Sequence, residues 1–134
     1  MTVIDEGLIA YLKTIAGVTG LVSTRIYGML IPQGATLPCV VVTRISTPRT
    51  LTMDTSGATG DLINPRFQLD AWATTHSSTK AITDALRATL NGKTGSVGGV
   101  TIRAALANEE APTWEPEAEL YRGRSEFIIW LQEA

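Results

Sequence analysis

The run CVVVTRIS, residues 39–46, leaves the chain the fewest choices. Val40, Val41, Val42, Thr43 and Ile45 are branched at Cβ, which restricts them in a helix and suits them to a pleated strand. Four successive apolar residues, Cys39 to Val42, require cover on both faces. The run therefore predicts a strand inside a sheet. PRFQLDAWAT (65–74) predicts another, with Phe67, Leu69 and Ala71 on one face and Arg66, Gln68, Asp70 and Trp72 on the other. LYRGRSEFIIWLQ (120–132) predicts a long last strand: Tyr121, Ser125, Phe127, Ile129 and Leu131 alternate with Arg122, Arg124, Glu126, Ile128 and Trp130. Gly123 there marks a bulge or a close backbone approach.

Helical spacing appears twice. Thr2 with Asp5 makes a capping arrangement, and Ile4, Leu8, Leu12 and Ile15 share one face. A helix over residues 3–16 is expected, with Gly17 and Gly20 closing it. Thr75 or Ser77 caps a second helix whose stripe is Ile82, Ala85, Leu86 and Leu90, ended by Asn91-Gly92. Short strands are expected at 25–30 and 100–107, with an extension of the 39–46 strand at 49–53. IPQGATLP (31–38) and GKTGSVGG (92–99) read as turns. DTSGATGDLIN (54–64) reads as a long mobile loop or hairpin tip. NEEAPTWEPEAEL (108–120), with five glutamates and two prolines, reads as a stiff acidic connection between strands.

This order is α+β: an antiparallel or mixed β-sheet with two α-helices packed on one face. A chain of 134 residues fits a single domain, 1–134, able to bury on the order of two-thirds of its unfolded surface. No apolar run approaches about 20 residues, so no membrane span is expected. MTVIDEGLIAYL has early acids and no basic start, so no signal peptide is expected. The single Cys39 excludes an internal disulfide and fits a reducing compartment.

Net charge is −2, with no global bias toward nucleic acid. Residues 1–108 carry nine basic and six acidic side chains, whereas 109–134 carry two and seven. Such polarity either orients the protein against another charged surface or marks a solvated loop.

Chemistry is sparse. A catalytic His76 would need a positioned partner and an orienting group, with Asp70 and Asp84 its nearest acids in sequence. Cys39, inside an apolar run, reads as a structural thiol. No phosphate loop or EF-hand pattern occurs. Paired carboxylates for glycoside cleavage are a weak reading without more aromatic platforms. Arg44, Arg49, Arg66 and Arg103 read as solvated strand arginines or partners of Asp70, not as a nucleic-acid platform.

Three long segments together resemble the tail-completion, or tail-terminator, family of long-tailed bacteriophages. They are RIYGMLIPQGATLPCVVVTRIS, RFQLDAWATTHSSTKAITDALRATLNG and GGVTIRAALANEEAPTWEPEAELYRGRSEFIIWLQ. The marks are Arg25-Ile26-Tyr27 before a Pro-Gln-Gly-Ala turn, Leu37-Pro38 opening a hydrophobic strand, and Gln68-Leu69-Asp70-Ala71-Trp72-Ala73 before a helix. Gly98-Gly99-Val100, Glu115-Pro116 and Leu120-Tyr121-Arg122 complete them. Cys39 departs from the pattern, where an aromatic is expected. The resemblance implies a structural virion protein and no enzyme. It implies a homo-oligomeric ring, usually of six copies, at the head-proximal end of the tail tube. The ring stops tube polymerisation and joins the tail to the head connector. It also implies no catalytic residues, no cofactors or metals, no membrane and no specific nucleic-acid binding, with DNA passing through the ring. Its partners are the tail-tube protein and the connector or stopper. Its place is the virion neck, and the host cytoplasm during assembly.

Interface residues expected on this reading are Arg49, Asp54, Thr55, Ser56, Gly57, Asp61 and Leu62 around the small-residue loop. Glu109, Glu110, Trp114, Glu115 and Glu117 follow in the acidic stretch. Alternatives are a tail-tube or other neck protein and a monomeric binding module. An enzyme would require an accessible, activated Cys39 or His76. No long tube-forming hairpin is evident, which argues against the tube.

Overall fold

The computed structural model describes residues 4–29, 36–47, 49–50, 62–98, 100–117 and 119–132. In chain order these form α1 (Ile4–Leu12), α2 (Ala16–Val22), β1 (Ile26–Gly28), β2 (Cys39–Ser46), β3 (Arg49–Thr50) and β4 (Leu62–Ile63). Then come β5 (Arg66–Ala73), α3 (His76–Leu90), β6 (Gly95–Val97), β7 (Val100–Ile102), β8 (Ala104–Glu115) and β9 (Leu120–Gln132). The class is α+β. Its main sheet is mixed, because β1 runs parallel to β2 while the other pairs are antiparallel.

β2 and β5 form where the β-branched run and the alternating run predicted them, and β9 spans the expected final strand. Cys39, Val40, Val41 and Val42 are all buried, as four apolar residues in a row required. The sheet runs β1-β2-β5-β9, with β8 on the other side of β9. β4 pairs the end of β9 and β3 pairs β4. Residues 51–61 therefore connect two paired strands; Asp54, Thr55, Ser56, Gly57 and Asp61 fall among them and lie outside the described residues. Phe67, Leu69, Phe127 and Ile129 from the sheet share one core with Leu8, Leu12, Val18, Val22, Ile82, Leu86 and Leu90 from the helices.

The helices number three among the described residues, not two. α1 stops at Leu12, where the Thr14 hydroxyl and amide both bond the Tyr11 carbonyl, at 2.6 and 3.0 Å. A hydroxyl that competes for a carbonyl favours a turn over continued helix. Ile15 is extended, and a new helix begins at Ala16. Gly17 and Gly20, expected as terminators, lie inside α2. Each costs about 1 kcal/mol relative to Ala, and burial of Val18 and Val22 offsets this. α3 begins as predicted: the Thr75 hydroxyl accepts from the Ser78 amide at 3.2 Å. The glycine-rich turn after it contains the β6–β7 hairpin, and a side chain at Gly98 would strike the Gly7 carbonyl of α1.

The largest correction concerns the acidic stretch. It is no connection: β8 continues through it to Glu115, paired with β9, and the turn begins only at Pro116. Among the described residues β8 has one strand neighbour, so its outer positions meet water and tolerate glutamate. Pro112 sits opposite Gly123 in a strand at the sheet edge, the place where a missing amide is least harmful. The ladder shifts between Ala107 and Glu109, a bulge-like step. Gly123 does mark a close approach: a Cβ there would lie 2.7 Å from Thr83 Cγ2 of α3.

Candidate assembly surface

The expected interface residues fall into two separate regions. Arg49 and Leu62 lie in β3 and β4, and β4 pairs Leu131 and Gln132 at the far end of β9. Glu109, Glu110, Trp114 and Glu115 all lie in β8, with Glu115 paired to Leu120 at the near end of β9. At about 3.3 Å per residue along β9, Glu115 lies roughly 35 Å from the β3–β4 region, whereas Glu109, opposite Glu126, lies only about 16 Å from it.

Within β8 the acids are not alike. Glu110 accepts from Arg87 Nη1 of α3 at 3.0 and 3.1 Å. Glu115 lies 3.4 Å from Arg122 Nε. Glu117 stands exposed in the reversal. Trp114 is 47% exposed and packs on Tyr121, with ring centroids 4.7 Å apart. His76, at the start of α3, meets the same tyrosine edge-on at 5.9 Å. The result is an exposed aromatic corner at the hairpin's end, too large to be an incidental surface leucine.

Beside this corner, α3 and the hairpin enclose a groove of about 200 Å³. Thr79 and Thr83 line one wall and Ala111 and Pro112 the other, over Gly123. His76, Lys80 and Glu110 edge it, with Lys80 paired to Asp84 and Glu110 to Arg87. Sequence reading missed this site. Lys80, Asp84 and Arg87 form ion pairs at one-turn spacing on α3, a pattern that reads only as a solvated face.

The opposite sheet face, formed by the alternate residues of β5 and β9, carries an ionic belt. The Arg66 guanidinium binds Glu126, with Nε to Oε1 at 2.8 Å, and Asn108 donates to the same oxygen at 2.9 Å. Those donors, Arg66 foremost, hold the Glu126 carboxyl below its ordinary range despite burial. Arg122 lies between Glu115 at 3.4 Å and Asp70 at 3.9 Å and stacks over Trp72 at 5.7 Å. One cation thus ties β5, β9 and β8 together. Burial pushes the Asp70 carboxyl up, and the Gln68 amide, Arg122 and Arg124 work against that shift.

Arg44 reaches Asp5 of α1 and Thr47, Arg66 reaches Glu126, and Asp70 is met by Arg122. Cys39 is fully buried, and burial raises its thiol, the opposite of an activated thiolate. Asp70 lies on the face away from α3 and so does not orient His76. Among the described residues no three His, Cys, Asp or Glu side chains gather to hold a metal. No described helix is long and apolar enough to cross a membrane.

Comparison with known proteins gives one family and one fold. The family described as "Tail completion protein gp17" matches residues 6–132. No curated protein sequence matches. Among solved structures, a chain from the virion of a native gene transfer agent (GTA) particle has the same fold, with a TM-score of 0.68 at 17% identity. The alignment covers 94% of this chain and 95% of that one.

Proposed function

The chain belongs to the Tail completion protein gp17 family, a phage tail structural protein, and we propose that it forms a ring, of about six copies, that closes the head-proximal end of the tail tube and joins it to the head connector. The observation that carries the reading is β8. It is a strand of 12 residues, paired on one side among the described residues, with Trp114 and three glutamates along it. An open edge offers unpaired backbone groups, and neighbouring subunits satisfy such edges. Repeated around a ring, the glutamates give one rim a strong negative field, which suits a contact surface for tube or connector protein. The region of Arg49 and Leu62, with the Asp54–Asp61 segment between β3 and β4, is the second proposed contact. Its distance from the Trp114–Glu115 end of β8, roughly 35 Å along β9, lets one subunit reach two partners. The chain works without catalysis or cofactor, in the virion neck after assembly in the host cytoplasm.

The test is electron microscopy of phage lacking the protein. Overlong or headless tails are expected; normal, joined particles would remove the reading. Light scattering of the purified chain, alone and with tail-tube protein, separates a ring from a monomeric binding module.

A tube role has one observation in its favour. β8 and β9 make a hairpin with arms of 12 and 13 residues, the long hairpin that the sequence did not reveal. If the purified chain grows into long tubes by itself, it is the tube; finite particles of fixed mass favour the terminator.

A further inference from the structure

β1 and β8 each have one strand neighbour among the described residues, β2 and β9. β8 is open only over its second half. The Ala105 amide donates to the Lys93 carbonyl at 2.9 Å, and the Ala105 carbonyl accepts from the Gly92 amide at 2.7 Å. The Ala107 amide donates to Asn91 Oδ1 at 3.0 Å. Ala105 and Ala107 thus turn their backbone groups away from β9, and the chain leaving α3 meets them. Such direction alternates along an antiparallel strand. Past the step between Ala107 and Glu109, the residues that face outward are Glu110, Pro112 and Trp114. Pro112 has no amide, so its outward place costs the β8–β9 ladder nothing. On β1, the Arg25 carbonyl and the Met29 amide bond Val40 and Val42 of β2, at 3.0 and 2.9 Å. Ile26 and Gly28 therefore face outward there.

The two edges are complementary. β1 and β9 run in one direction and β8 in the other. A sheet continued from β8 into β1 of a neighbour, with the helices kept on one side, pairs them antiparallel. Residues opposed in such a pair share a face. Both outward sets point to the helix side: Pro112 is paired to Gly123, which faces α3, Ile26 is in the core, and Gly28 faces Ile9 of α1. Charge agrees. Residues 7–53, which include β1, carry four basic side chains and no acidic one; residues 104–121, which include β8, carry five acidic and no basic. Arg44, Glu110 and Glu115 have partners within the chain, in Asp5, Arg87 and Arg122. Lys13, Arg25, Glu117 and Glu119 have no ion-pair partner among the described residues. Besides Leu21, the exposed large apolar residues described are Met29 after β1, Ile45 on β2, and Leu106 and Trp114 on β8.

We propose that residues 109–115 of β8 pair antiparallel with β1 of a second copy, so that one sheet passes from subunit to subunit. The Ile26 amide is spent on the Thr24 carbonyl at 2.8 Å and Pro112 has none, so these two do not stand opposite each other. With Gly28 opposite Pro112, the Pro112 carbonyl accepts from the Gly28 amide and the Ile26 carbonyl from the Trp114 amide. Tyr27 then falls opposite Thr113, and Arg25 opposite Glu115. The two edges are different surfaces, so the contact is heterologous and repeats head to tail, the arrangement that closes a ring. This pairing rests on the ring reading and names its joint.

Disulfide cross-linking tests it, with Tyr27→Cys and Thr113→Cys in one chain. Within a single copy the two positions lie on strands four spacings apart, about 19 Å, far beyond the roughly 7 Å that a disulfide spans. Cys39 is fully buried and does not compete. Mild oxidation of the assembled protein should give a ladder of linked copies longer than dimers on a non-reducing gel. Each single variant should give none. If that pair melts below the wild type, Met29→Cys with Ala111→Cys tests the same register one step along. Rings seen by light scattering with no ladder overturn the edge pairing and leave the ring standing, with the β8 edge given to another partner. Strong dimers from a single variant also overturn it, because they mark a contact of like edges. If the purified wild type is monomeric, the same variants are made in phage and whole particles are oxidised. A ladder there upholds the pairing, and its absence removes it. Absence of the chain from the tail end removes the ring reading itself.

Discussion

β8 and β9 are the two arms of one hairpin, paired from Ala104 opposite Trp130 to Glu115 opposite Leu120 with one register shift between Ala107 and Glu109, yet they carry opposite kinds of residue. β9 lies between two strands and under α3. Ser125, Phe127 and Ile129 are fully buried in it, and even Glu126 is only 6% exposed. Among the described residues β8 has one strand neighbour; Leu106 and Trp114 are each 47% exposed, and Pro112 stands among glutamates. Both arms have the same backbone conformation. What a strand can carry is therefore set by its neighbours, more than by its own propensity.

Substitutions on the two arms sharpen that contrast. Phe127→Ala should cost the most, about 3–5 kcal/mol, because the ring is fully enclosed; urea unfolding measures it. Gly123→Ala comes next, at about 1–3 kcal/mol, since the new methyl meets Thr83 across the α3 contact. If it is silent, α3 does not clamp the hairpin as described.

Glu126→Gln should cost about 1–2 kcal/mol at neutral pH. The fold lowers this group's pKa, so its stabilising effect is present above the unfolded value and fades as pH falls through the folded value. The cost of the substitution should shrink in acid. Asp70 has the opposite sign. Its pKa is raised, so its contribution is full below the unfolded value and is lost as pH rises through the folded one. Asp70→Asn should then be mildly stabilising at neutral pH, and the gain should vanish on acidification. Paired unfolding curves across pH check both directions, and a shared sign would contradict the belt as drawn.

Leu106→Ala, on the edge arm, should cost the least, below about 1 kcal/mol in the isolated chain. A loss close to that of Phe127→Ala would mean that β8 is covered in solution, and would end the contrast between the arms.

The family resemblance was legible in residues spread along nearly the whole chain, and the family match over residues 6–132 agrees with it. The candidate site was legible in part. Trp114 and the glutamates of β8 stood out by composition, but they read as a crossing. An edge strand shares proline and charge with loops, and no local pattern reports that β9 lies in register beside it. The groove was illegible, because Thr79 and Gly123 are far apart in the chain and meet only when α3 packs on the hairpin.

By itself the sequence determined β2, β5, β9 and α3, with a cap at Thr75 or Ser77, of which the structure uses Thr75. In each, a period of two residues, a β-branched run or a helical stripe points one face at a core, and short-range chemistry is enough to set it. Only the tertiary structure decided where α1 gives way to α2, that the acidic stretch is strand, and that Glu126 and Asp70 are buried. Those outcomes depend on partners distant in the chain, such as Arg66 for Glu126 and Arg122 for Asp70. The free energy of a buried charge is set by the groups that surround it after folding, and their positions are not written in the residues beside it.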